Sequence, residues 1–215
     1  MADPRLVLGS RSPRRAELLD AAGFDFRQVD PPYDDPADPA SHANAPDDPA
    51  ELALTLATRK ADSLAPLLEA DEIGLTADTL CVDAAGGLVG TPANHDEALA
   101  ILSGFANASH EVITAVALVR PDGQVADGFA DTAVVTFEEL SVDQLAAYIA
   151  TDAWRGKAGG YNLTERLEAG WPIIVEGDPD TVVGLPIAVL IDRLVALGIK
   201  PHADREPSDR PGPAG

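Results

Sequence analysis

The 215-residue sequence carries 15 lysines and arginines against 36 aspartates and glutamates, a formal charge of −21. With 46% hydrophobic and 24% charged residues, it has the composition of a globular protein able to bury about 70% of its unfolded surface, which excludes wholesale disorder. The acidic balance repels polyanions and so argues against binding to nucleic-acid polymers or anionic membranes.

Along the chain, Leu6-Val7-Leu8 reads as a buried strand leading into Gly9-Ser10-Arg11-Ser12-Pro13. Ser12 suits a helix N-cap and Pro13 the first helical position. Ala16, Leu18, Leu19 and Ala22 continue that helix to Gly23. Residues 30–50 hold six prolines and form a loop. Helical spacing returns from Asp48 through Leu52, Leu56 and Ala57 to Lys60, Ala61 and Leu64. Ile73–Val82 reads as a strand, with a turn into a second short strand at Leu88-Val89. Asn94 with Glu97 resembles a capping box for a helix that stops at Gly104. Strands follow at Glu111–Val119 and Ala126–Phe137, joined by the turn Pro121-Asp122-Gly123. Ser141 with Gln144 caps a helix to about Thr151; 155–161 is too glycine-rich for a regular element. A strand at Trp171–Val175 and a helix from Pro186 to Gly198 complete the pattern. Residues 201–215 have almost no apolar content and are expected to be a disordered tail. The order of elements predicts an α/β domain with antiparallel hairpins mixed into the sheet.

No window approaches a membrane-spanning length of roughly 18 apolar residues. The N-terminus has no basic region followed by an apolar one, so no signal peptide is expected. One cysteine, Cys81, excludes an internal disulfide and agrees with a cytoplasmic location. It reads as a small core residue. The histidines His42, His95, His110 and His202 are scattered without metal-ligand spacing. No Gly-x-Ser-x-Gly elbow is present, which disfavours a serine hydrolase.

Three segments have the residue types for chemistry. The small-residue loop Gly9–Ser12 before a helix N-terminus presents free N–H groups to an anion, and Arg14 and Arg15 add charge-assisted bonds. Two solvated arginines on a capped surface helix are the alternative, although cations in a first turn oppose the helix dipole. Asp78, in Ala77-Asp78-Thr79, lies in an apolar stretch where a carboxylate must meet a metal, a proton or a cation. General base, Mg²⁺ ligand and backbone-bonded strand-end residue all remain open for it. Gly156-Lys157-Ala158-Gly159-Gly160-Tyr161 combines close backbone approach with one cationic point charge, but lacks the P-loop spacing. Lys60, late in its helix, reads alone as a solvated lysine.

Together these segments resemble the Maf family of nucleoside triphosphate pyrophosphatases. Six motifs occur in order over about residues 5–198: Ser10-Arg11-Ser12-Pro13-Arg14-Arg15-Ala16-Glu17-Leu18-Leu19, Lys60-Ala61, Ala77-Asp78-Thr79, Ser103-Gly104 with His110-Glu111-Val112-Ile113-Thr114, Lys157-Ala158-Gly159-Gly160-Tyr161, and Val182-Val183-Gly184-Leu185-Pro186. The resemblance implies one domain over residues 4–200. It would be a two-lobed α/β fold around a mixed sheet with a central cleft, similar to the inosine triphosphatase architecture. The implied activity is hydrolysis of a nucleoside triphosphate to the monophosphate and pyrophosphate, assisted by Mg²⁺ or Mn²⁺, removing non-standard or surplus nucleotides. Asp78 is implied as proton acceptor, Arg14 and Thr79 as tied to substrate selection, Lys60 and Lys157 as lining the phosphate site, and Ser10, Arg15 and Thr164 as further substrate-binding residues. Asp78 and Asp35 are the candidate metal ligands, and a homodimer is plausible by analogy. A non-catalytic nucleotide-binding regulator, for example of cell division, is the competing class.

Three departures from the family pattern stand out. Thr91, in Gly90-Thr91-Pro92, replaces a lysine common in relatives. Thr164 stands where members preferring thymidine and uridine triphosphates carry glutamine. An early-loop glutamate aligns only loosely with Asp34 or Asp35. Base preference is therefore open between pyrimidines and modified purines.

Overall fold

A computed structural model describes residues 3–34 and 46–202. Seven strands make one sheet: β1 (Arg5–Gly9), β2 (Phe26–Val29), β3 (Glu72–Val82), β4 (Leu88–Val89), β5 (Ala108–Val119), β6 (Val125–Phe137) and β7 (Ile173–Glu176). The order is β2-β1-β3-β5-β6-β7, with β4 pairing only with β3. β1 runs parallel to β2 and β3, and the other pairings are antiparallel. The parallel half needs crossovers, supplied by α1 (Pro13–Ala21) and α2 (Pro49–Leu64). Also present are α3 (His95–Phe105), α4 (Val142–Ile149), α5 (Leu163–Glu168), α6 (Pro179–Val183) and α7 (Ile187–Ala196).

The caps form as their residue types require. Ser12, Asp48, Asn94 and Ser141 each accept a first-turn N–H, and Ser141 with Gln144 closes a complete capping box. At α3 the reciprocal bond from Glu97 is displaced to the Ala93 N–H.

One face of the sheet is covered by α2, whose Leu52, Leu56, Ala57 and Ala61 pack on Leu80, Val82, Ile113 and Ala115. Its close approach depends on Gly9, where a Cβ would stand 2.7 Å from Leu64 Cδ2 and 2.9 Å from Thr76 Cγ2. The other face carries two cores in line along the strands. Near β1, α1 and α7 the core is mainly aliphatic, with Leu6, Leu8, Leu19, Leu75, Leu118, Leu190 and Leu194 beside Phe24 and Phe129. Beyond it α3 and α4 cover an aromatic core of Phe105, Phe137, Tyr148, Trp154, Tyr161 and Trp171. These are the two lobes, and the long β3, β5 and β6 run through both.

The sheet forks at the junction. β1 pairs with β3 only as far as Leu75, and β4 joins β3 only at Cys81. Thr76–Leu80 thus pair with β5 on one side and have no strand on the other among the described residues. A polar row crosses the same level: Thr79 is in register with Thr114 and Thr114 with Asp131.

Several local expectations need correction. β2, α5 and α6 were not foreseen. The strand expected at Trp171–Val175 is Ile173–Glu176, and α4 ends at Ile149. The glycine-rich segment holds one 3₁₀ turn, Ala158–Gly160, broken at Gly159 with φ +67°. Of the expected tail, Pro201 and His202 still pack on the α1–β2 turn, His202 N–H donating to Gly23 O at 2.9 Å; the remainder lies outside the described residues. No helix among the described residues is long and apolar enough to cross a membrane.

Candidate active site

The fork opens into a cavity of about 650 Å³ that reaches both faces of the sheet across the β3 edge. Alternation along β3 sends Asp78 to the α2 side and Thr79 to the side of α1 and α6. Asp78 is only 8% exposed, and Lys60 from α2 meets it, Nζ donating to Oδ1 at 2.6 Å. The costly carboxylate therefore meets a cation. Lys60 is no solvated surface lysine.

Arg14, Arg15, Lys60 and Lys157 all line the cavity, whereas Asp78 is the sole carboxylate among the described lining residues. Four cations around one anion make a phosphate-attracting pocket inside a chain of charge −21. The loop before α1 is held by Gln28 of β2, whose Nε2 donates to Ser10 O at 2.7 Å. Ser10 Oγ accepts from the Ser12 N–H, which ties up one of the loop donors. Ser10 faces a smaller adjoining pocket of about 160 Å³ rather than the main cavity, and Ser12, Arg15 and Lys60 border both.

Arg15 spans the junction. Its Nε donates to Gly184 O at 2.8 Å, Nη1 to Ala77 O at 2.9 Å and Ser10 Oγ at 3.3 Å, and Nη2 to Thr79 Oγ1 at 3.1 Å. It occupies the place beside Ala77 where a strand would otherwise pair.

Lys157 is carried on the glycine-rich turn, which Gly159 N–H pins to Gly90 O at 3.1 Å and Tyr148 OH pins at Gly160 O at 3.0 Å. Tyr161 reaches inward to His110, OH to Nε2 2.8 Å, while His110 stacks on Phe105 with centroids 3.9 Å apart. Burial pushes His110 down to about 4 and Cys81 up to about 12, and drives Tyr161 well above its ordinary value. None of the three is a ready acid or base at neutral pH. Lys157 Nζ donates to Glu165 Oε2 at 2.7 Å.

The described residues bring together Arg14, Arg15, Lys60, Asp78, Thr79 and Lys157. Thr164 is exposed on α5 and outside the cavity lining, where Asn162 and Leu163 stand instead. Asp35 lies outside the described residues. Glu165, Thr181 and Asp131 join the site through register and ion pairing rather than through any local motif, and Thr114, although inside the His110–Thr114 motif, gains its place beside Thr79 through register. Among the described residues no cluster of three His, Cys, Asp or Glu could cage a metal.

The family described as Maf-like protein matches residues 5–197. The chain belongs to the Maf family. Maf-family relatives named "dTTP/UTP pyrophosphatase" include one from Caulobacter vibrioides, 37% identical over 93% of this chain and 99% of its own. Another from Pyrococcus furiosus is 36% identical over 91% and 96%, and one from Symbiobacterium thermophilum 37% over 90% and 94%. A solved Mycobacterium abscessus nucleoside-triphosphatase / dITP/XTP pyrophosphatase gives a loose likeness, with 17% identity and a TM-score of 0.35 over 63% of this chain and 75% of its own. The match to the Maf family spans both lobes and every cavity-lining segment named above.

Proposed function

We propose that this Maf-family protein hydrolyses a nucleoside triphosphate to the monophosphate and pyrophosphate, with thymidine and uridine triphosphates as its substrates. The observation that carries the reading is the pairing of four cavity cations with one buried carboxylate at the sheet fork. The names of relatives matched over nearly their whole length support it.

The chemistry follows from the residues. Water attacks the α-phosphorus, the bond to the bridging oxygen breaks, and pyrophosphate leaves carrying added negative charge. Arg14 and Lys157 stand in the cavity to neutralise that charge, and Lys60 holds the Asp78 carboxylate in place by a charge-assisted bond. Asp78 accepts the proton of the attacking water. The apolar wall of Leu88, Val89 and Leu163 suits a base.

A divalent ion fits as a companion of the substrate. Mg²⁺ is commonly held by one or two carboxylates with phosphate oxygens and water, and Asp78 would be its protein ligand among the described residues. When bound it neutralises phosphate charge. Such a protein would act on free nucleotides in the cytoplasm, and a homodimer is the expected assembly, read by light scattering.

The deciding experiment is pyrophosphate release from a panel of natural and modified nucleoside triphosphates, with and without Mg²⁺ or Mn²⁺. Release from dTTP and UTP ahead of purine triphosphates supports the reading. Release confined to modified purines overturns the substrate. No release from any triphosphate, with binding retained, overturns catalysis in favour of a regulator.

A further inference from the structure

The hydroxyls at the lobe junction have a fixed polarity that can be deduced from their partners. Thr114 Oγ1 lies 2.7 Å from Thr181 O, a backbone carbonyl in the middle of α6 that can only accept. Thr114 has one hydroxyl hydrogen, and that bond consumes it. Thr79 Oγ1 lies 2.9 Å from Thr114 Oγ1, so the hydrogen between them belongs to Thr79. Thr79 in turn accepts from Arg15 Nη2 at 3.1 Å. The chain therefore runs one way, from the Arg15 guanidinium through Thr79 and Thr114 to Thr181 O. Beyond it, the Thr181 hydroxyl donates to the Asp131 carboxylate. A donor-only guanidinium at one end and an acceptor-only carbonyl at the other, with Thr114 fully buried between them, hold the direction against reversal.

Thr79 is the member of this chain that lines the cavity. Its hydrogen is committed to Thr114 and one lone pair to Arg15, so a ligand touching the remaining lone pair must donate. A phosphate oxygen cannot. The family resemblance already ties Thr79 to substrate selection; we propose that Thr114, which lines no part of the cavity, decides what Thr79 can accept, a hydrogen-bond donor of the nucleoside and not the triphosphate, by fixing the hydroxyl's direction. The donor is either the imino N3–H of uracil or thymine, where cytosine has a lone pair, or the 3′-hydroxyl of the sugar. Thr114 is a positioning residue in this scheme. The inference rests on the proposed nucleotide substrate but not on turnover.

Binding separates the two. Calorimetric Kd values for UTP, CTP, dTTP, 3′-deoxythymidine triphosphate and inorganic tripolyphosphate are measured on the full chain and on Thr114→Val and Thr114→Ser. The unaltered protein prefers UTP over CTP, or dTTP over its 3′-deoxy analogue, by tenfold or more; the pair that shows it identifies the donor. Thr114→Val releases the Thr79 hydrogen to point into the cavity, so that preference falls at least fivefold, while Thr114→Ser keeps it. Tripolyphosphate affinity stays within twofold throughout. If Thr114→Val does not fold, Thr114→Ala replaces it, with the same loss of preference and the same constancy for tripolyphosphate. Absence of both preferences in the unaltered protein, persistence of the preference in Thr114→Val, or a fivefold change for tripolyphosphate overturns the inference. Preference without pyrophosphate release would leave it standing and overturn catalysis instead.

Discussion

Lys157 Nζ donates to Glu165 Oε2 at 2.7 Å, so a cation lining the cavity already holds a carboxylate of the chain's own. Arg166 Nη2 stands 4.0 Å from the same oxygen and offers Glu165 a second partner when Lys157 turns to phosphate. Glu165 is 44% exposed in its side chain, and an ion pair so wet contributes at most about 1 kcal/mol. Glu165→Gln removes the competing anion, so KM for a triphosphate should fall about two- to fivefold with kcat little changed. Raising the salt concentration should narrow the difference. A higher KM in steady-state assays would mean instead that Glu165 aims Lys157 at the substrate.

Asp78→Asn keeps the shape and an acceptor for Lys60 while removing the proposed proton acceptor. Single-turnover pyrophosphate release should slow by about 10²–10⁴-fold, the usual worth of a positioned base. Binding of the metal-free nucleotide should hold or tighten, since an anion has left the phosphate pocket. Unchanged release would remove Asp78 from the chemistry.

Thr91 lines the cavity just after β4, on the segment that Gly90 ties to the Lys157 turn. Thr91→Lys adds a fifth cation there without touching the core. KM should drop by up to about tenfold, equivalent to 1.4 kcal/mol. Equal KM values for variant and parent would show that the lysine at 91 does not reach the phosphates.

His110 has a folded pKa lowered to about 4 by burial, against 6.5 in the unfolded chain. Its neutral form favours folding, so the stability it contributes is complete above pH 6.5 and declines as pH falls toward 4. The lowered pKa of Glu72, held by Arg27, adds a further decline only below about its ordinary 4.5. Urea-unfolding free energy should therefore fall between pH 6.5 and 4.5, in total by about 3 kcal/mol once pH 4 is reached, at 1.36 kcal/mol per unit. His110→Phe, which keeps a ring against Phe105, should flatten the upper part of that slope. An identical slope in the variant would assign it to other groups.

Much of this architecture is legible before folding. Ser12-Pro13, Asp48-Pro49 and the Ser141/Gln144 pair mark helix starts because capping is a local event. The same local signal is present at Asp178-Pro179, where Asp178 caps the five-residue α6. β2 was missed for a different reason. Phe-Arg-Gln-Val is a half-exposed edge strand whose side chains do not alternate apolar and polar. At the site, Asp78 is marked by the cost of its apolar setting, whereas Lys60 is marked in the sequence only by the family motif and in the fold by meeting Asp78. The His110–Thr114 motif contains Thr114 but does not say what it meets; only strand register places Thr114 and Asp131 in one row with Thr79.

The fork in the sheet works as a ruler. The open stretch of β3 is bounded by Leu75, the last partner of β1, and Cys81, the first of β4. Its five residues span about 17 Å at roughly 3.3 Å each. That length cannot be adjusted by single residues: deleting one would turn every side chain beyond it to the opposite face, exchanging the sides of Asp78 and Thr79. Size selection in this fold is therefore left to the walls, and descendants can change what they accept only by altering side chains around an opening of constant length.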